Sequence, residues 1–154
     1  MDGGAARMAE ENARTGKGRG PVALGPRLVG SEQFRSLFEE GMSLVEETAD
    51  YLDGDGRKDS LRLTRAGALA YASESMRLTT RLMQTASWLL LQRAVNEGEL
   101  TMEQARAEKN KVKLSGLSTA MHGAGWDGLP VRLRELITRS LRVQERVLRL
   151  DDAF

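Results

Sequence analysis

Apolar residues recur at intervals of three and four along most of the chain beyond residue 30, and a period of two never persists, so the pattern predicts helices and no strand. A first helix is expected from Ser31, a residue type suited to an N-cap, to about Asp53, where GDGR supplies turn residues. Phe34, Leu37, Phe38, Leu44, Val45, Ala49 and Leu52 gather on one side of it, opposite Glu39, Glu40, Glu46, Glu47 and Asp50.

The second helix should open between Leu61 and Arg65 and end near Gly98. At about 1.5 Å per residue it would reach roughly 50 Å, longer than a compact globule of this size is wide, which implies an elongated bundle. Its apolar residues form two stripes. Leu69, Ala72, Met76, Met83, Ala86 and Leu90 make one, and Tyr71, Leu78, Leu82 and Leu89 make a neighbouring second. Two stripes require two partners, one of them outside the chain. Arg77, Arg81, Gln84 and Gln92 mark the side expected to face water, and Trp88, Leu91 and Val95 fall outside both stripes. Those three make either an exposed protein contact or a satellite core beneath the last helix or the loop near residues 116–129. The expected dimer or partner surface is therefore Tyr71, Leu78, Leu82, Trp88, Leu89, Leu91 and Val95.

Thr101 followed by Gln104 is a capping-box pattern that opens a short helix through Val112, with a thin stripe of Met102, Ala105 and Val112. Four glycines break up the following SGLSTAMHGAGWDG, which reads as a surface loop. The last helix is expected from Pro130 to about Leu150. Leu133, Leu136, Ile137, Leu141, Val143, Val147 and Leu148 face inward, and Arg134, Arg139, Arg142, Arg146 and Arg149 face outward. The fold class is thus all-α: an elongated three-helix bundle with one additional short helix and a disordered N-terminal tail.

The tail is residues 1–30, which hold seven glycines, two prolines and five Arg or Lys and offer little apolar surface to offset ordering entropy. Residues 31–154 form the bundle domain. GKGRG lacks the spacing of a phosphate loop and has no strand before it. Met1 to Gly30 contains no apolar core of the export type, and no segment is apolar enough to span a bilayer, so the expected location is cytoplasmic without a membrane partner. The formal net charge of +1 exerts no general pull toward nucleic acid.

Chemistry is scarce. The chain has no cysteine and a single histidine, His122, which excludes disulfides, thiolate metal sites and any site that needs two imidazoles. No catalytic, cofactor-binding or metal-binding residue is assigned: His122, Trp126 and Asp127 in HGAGWDG read as residues that pin a loop. Met76, Met83, Met102 and Met121 could make a pliant binding surface, but at helical spacing they read as core filling. The arginine row of the last helix could track phosphates in a DNA-associated regulator, the alternative function. Glutamates dilute that row, and the acidic face of the first helix balances it.

Three runs, FRSLFEEGMSLVEETADYLDGDGR, ALAYASESMRLTTRLMQTASWLLLQRAVNEGE and LPVRLRELITRSLRVQERVLRLD, resemble the alphaproteobacterial RcdA family, named for regulated degradation of the cell-cycle regulator CtrA. The resemblance spans about Phe34 to Asp151 and is strongest at ESMRLTTRLMQTASWLL. It implies a three-helix bundle that forms a homodimer and has no catalytic activity. It further implies an adaptor that links cargo proteins to the ClpXP protease, with ClpX primed by the response regulator CpdR.

Overall fold

The computed structural model describes residues 20–112 and 125–153, with side chains over 31–111 and 125–152. The expected tail as far as residue 19, His122, Met121 and most of the 116–129 loop lie outside the described residues. The chain divides into two compact units, Met1–Ser36 and Leu37–Phe154. The second unit carries the packing described below.

The described residues form five α-helices and no strand: α1 (Gly20–Asp53), α2 (Asp55–Leu61), α3 (Arg65–Asn96), α4 (Met102–Val112) and α5 (Val131–Ala153), with a short 3₁₀ turn over Trp126–Gly128. α1 begins at Gly20 rather than at the expected cap Ser31. Pro21 sits in its first turn, where a missing N–H costs nothing, whereas Pro26 falls at the seventh position and cannot donate to the carbonyl four residues back.

Most helix ends follow from local chemistry. The Thr64 hydroxyl accepts from the Gly67 amide at 3.0 Å and caps α3. At the other end Gly98 takes a positive φ of 80°, and Glu99 and Leu100 donate to the Ala94 carbonyl. The Thr101 and Gln104 box closes in both directions, at 2.9 and 3.0 Å. Pro130 stands just ahead of α5 instead of inside it, and its carbonyl accepts from the Arg134 amide at 3.1 Å. Two short helices accompany the long ones, not one: α2 forms where GDGR reads as a plain turn. The Tyr51 hydroxyl donates to Asp59 at 2.8 Å and ties α2 back to α1. Gly56 lets that corner close, because a Cβ there would lie 2.5 Å from the Tyr71 hydroxyl and 2.7 Å from the Tyr51 carbonyl.

Within the second unit, residue pairing fixes helix directions. Arg81 meets Ser140 and Trp88 meets Asp151, so α3 and α5 run parallel. Glu47 meets Arg139 and Glu40 meets Arg146, so α1 runs antiparallel to α5. The shared core contains Leu44 from α1, Leu78, Leu82 and Leu89 from α3, and Leu133, Leu136, Ile137, Val143 and Val147 from α5. The inward positions expected for α5 are accordingly buried or half-buried. Along α1, Ala49 is exposed, and Thr48 and Tyr51 are buried in positions the apolar stripe alone does not mark.

α1 approaches α3 closely at Gly41, where an added Cβ would stand 2.6 Å from Leu89 Cδ1 and 3.9 Å from Val143 Cγ1. Leu89 is fully buried and has little room to yield. Gly41→Val is therefore expected to lower the free energy of unfolding by about 1–3 kcal/mol, the usual cost of overpacking. Urea titration followed by circular dichroism checks this, and an unchanged midpoint would show that α1 can shift away without penalty.

Candidate partner-binding surface

α3 carries the residues expected to meet a partner, and the structure corrects that expectation for four of the seven. Leu78, Leu82, Trp88 and Leu89 are at most 5% exposed, and they belong to the interior of the chain itself. Tyr71, Leu91 and Val95 are half-buried. The neighbouring stripe is the open one: Leu69, Met76, Met83 and Leu90 are 67%, 70%, 64% and 46% exposed. Met76 and Met83 are thus surface residues and not core filling. The two faces divide because α5 and α1 cover the row 78, 82, 85, 89, while no described residue covers the row seven residues apart at 69, 76, 83 and 90.

Trp88 lies inside because α4 and α5 bring polar partners to it. Its indole N–H donates to Asp151 Oδ1 at 2.8 Å, and the Lys109 ammonium stands 4.4 Å from the ring centroid. That ammonium also donates to Gln92 Oε1 at 2.8 Å and to Asp151 Oδ1 at 3.4 Å, and Gln92 donates to Asn96 at 3.1 Å. Burial pulls the Lys109 ammonium below its usual range, and the Asp151 carboxylate partly opposes the shift. α4 has almost no apolar face, with only Ala105 fully buried among its described side chains, so a cation over an indole does much of its anchoring. Covering by α4 and α5 decides between the two readings of Trp88 in favour of core.

The polar side expected to face water is also largely internal. Arg81 is 3% exposed and Gln92 is 1% exposed, whereas Arg77 remains at the surface. Arg81 donates to the Ser140 hydroxyl at 3.0 Å, its Nε has no partner, and burial lowers its pKa. A helical wheel registers such residues as polar, but Ser140, Asn96 and Lys109 supply the partners that let them turn inward.

The acidic face of α1 and the arginine row of α5 meet each other. Glu47 accepts from Arg139 through both carboxylate oxygens at 2.8 and 2.9 Å, and from Arg132 at 3.0 Å. Arg146 pairs with Glu40. Hydrogen bonds from Arg139 and then Arg132 hold the Glu47 carboxyl at about 2, far below its ordinary 4.5. Arginines engaged in this way are less available to track phosphates, which weakens the DNA-associated alternative.

Among the described residues, no group of His, Asp and Glu is placed to hold a metal ion, and no helix is long and apolar enough to cross a membrane. Residues 25–154 match a family model described as "Protein of unknown function (DUF1465)". The crystal structure of RcdA from Caulobacter crescentus CB15 is 55% identical, with a TM-score of 0.66, over 79% of this chain and 91% of that one. The chain belongs to the RcdA family. No match was found among the curated proteins. Within this RcdA-family chain, the seven-residue spacing of Leu69, Met76, Met83 and Leu90 was readable as one stripe, but composition alone does not say which of two stripes the chain covers.

Two outcomes are expected. Trp88→Ala should lower the unfolding free energy by about 3–5 kcal/mol, as for other buried large-to-small changes; a loss under about 1 kcal/mol in urea titration would place the indole outside the core. The folded-state pKa of Glu47 lies below its unfolded value, so its stabilisation is present above about 4.5 and fades as pH falls toward 2. Glu47→Gln should therefore reduce the melting temperature near neutrality and flatten its decline across that acidic window; parallel melting curves for the two proteins would show that the arginine pairing contributes nothing.

Proposed function

We propose that this chain is a non-enzymatic adaptor that tethers cargo proteins to the ClpXP protease for regulated, cell-cycle-linked proteolysis, and that it works as a homodimer joined through the outer face of α3. The observation that carries the adaptor reading is the 55% identity to RcdA over most of both chains. ClpX, CpdR and cargo are the partners that the family resemblance implies. Tethering accelerates turnover by raising the local concentration of cargo at the unfoldase and requires no chemistry from the adaptor. A cytoplasmic location accords with those partners.

The dimer reading rests on the spacing and chemistry of the open face. Leu69, Met76, Met83 and Leu90 occupy one heptad position, and Ala72, Thr79, Ala86 and Arg93 occupy the position three residues later, with Arg93 drawn aside over Phe38 and toward Glu97. The flanks are Ala68, Ser73, Ser75, Thr80, Ser87 and Ala94, small and uncharged. Such a face is self-complementary: long side chains of one copy fill the shallow positions of the other, and the one cation in these two positions, Arg93, is paired with Glu97. Burial of apolar area contributes about 25 cal/mol per Å², against the cost of association.

Two measurements test the two parts. The double variant Met76→Glu, Met83→Glu is expected to shift the protein from dimer to monomer in light scattering with its helical signal unchanged; a persistent dimer would move the contact elsewhere. In a reconstituted degradation assay with ClpXP, CpdR and a candidate cargo, the wild-type protein should accelerate turnover several-fold. Turnover that is indifferent to its addition, across the cargo proteins that co-purify with it, would remove the adaptor reading.

A further inference from the structure

A groove of ≈ 480 Å³ runs along the outer face of α5, from Trp126 and Val131 at one end to Arg142 at the other. Four arginines line it, Arg132, Arg134, Arg139 and Arg142, against the carboxylate of Glu135. Glu47 neutralises part of this charge through its bonds to Arg132 and Arg139. Arg134 and Arg142 form no ion pair among the described residues, and the Arg134 Nε is shielded from solvent without a hydrogen-bond partner. Two guanidinium groups are therefore held fast by a carboxylate, and two beside them have no carboxylate partner among the described residues. Preorganised arginines next to unneutralised ones favour planar anions, which a guanidinium can engage through paired N–H donors.

We propose that this groove binds an acidic segment of a partner protein in extended form, with carboxylates on Arg134 and Arg142 and an apolar side chain against Trp126 and Val131. Charge complementarity and length both favour such an occupant over nucleic acid. From Val131 to Arg142 the groove spans roughly 16 Å at 1.5 Å per residue, which accommodates about five residues of extended peptide. The positive excess is bounded at both ends, by Asp127 beside Trp126 and by Glu145 beyond Arg142, and the next arginine along, Arg146, is paired with Glu40. A polynucleotide would leave the groove against those carboxylates, whereas a short acidic stretch with an apolar neighbour would not. Val131 is 62% exposed and gives the apolar end an accessible surface.

This inference rests on the reading of the chain as a protein-binding adaptor, but on neither the protease nor the dimer contact, so it stands or falls separately. The test uses the full chain and three fluorescein-labelled probes: a short peptide of alternating Asp and Leu, the same peptide with Lys for Asp, and a single-stranded DNA of similar length. Anisotropy should rise with the acidic peptide only and weaken with added salt. Arg142→Glu, at an exposed position, should reduce that affinity at least about tenfold with the helical signal unchanged, a change of about 1.4 kcal/mol. Three outcomes would overturn the proposal: no binding of the acidic peptide at about millimolar protein, Arg142→Glu binding as well as wild type, or DNA binding as tightly as the peptide.

Discussion

A helix of 32 residues with hydrocarbon on two sides imposes the main constraint on this molecule, because the described residues of the chain cover only one of them. α1 and α5 flank the row that begins at Leu78, and the bundle core follows from that contact. α4 and the turn at Trp126 add a second layer on the adjoining side, where a Cβ on Gly125 would come within 3.0 Å of Ala70. Among the described residues, nothing covers the row from Leu69 to Leu90. Exposed apolar area of this regularity is uncommon on a protein that works alone, and it directs the functional reading toward assembly more strongly than any titratable group does.

Helix existence was legible from periodicity, and several ends were legible too: α3 starts within the expected window of Leu61 to Arg65 and ends just before Gly98, and the Thr101 and Gln104 pair starts α4. α2 was not, because a run such as GDGRKDSL has no apolar period and owes its helix to the Tyr51 hydroxyl that ties Asp59 to α1. The start of α1 was misplaced because Gly and Pro content speaks against helix in general; Pro21 in the first turn is compatible with one, and the helix continues past Pro26 despite the hydrogen bond that proline cannot make. The candidate surface was half legible. Both stripes of α3 were visible, yet leucine and methionine are nearly equal in hydrophobicity, and choosing the covered stripe needs the positions of α1 and α5. Arg81 and Gln92 were assigned to water because a wheel records polarity and cannot see that Ser140 and Lys109 stand opposite them.

Electrostatics here depends on arrangement and not on totals. A net charge of +1 conceals an acidic face on α1 and a basic one on α5. Where they meet, Glu47 serves two arginines at once, and the pairing fixes α1 against α5 at their polar margins. Farther around α5 the groove's carboxylate, Glu135, pairs with Arg132, and Arg134 and Arg142 line the groove without an ion pair among the described residues. Neutralisation at one edge and excess at the next give a single helix both a structural and a recognition role. The same economy marks α4, which uses one ammonium where a greasier helix would use several leucines.

Arg81 has one further consequence. A guanidinium sealed between two parallel helices acts as a vernier mark: sliding α3 along α5 by a single turn would carry it off the Ser140 hydroxyl, a penalty in so dry a place. Leucine against valine tolerates such slippage far better. Alignment of the two rods is thereby held by an ion as well as by the Trp88 and Asp151 bond, and with it the height at which every outward residue of α3 is presented to whatever docks there.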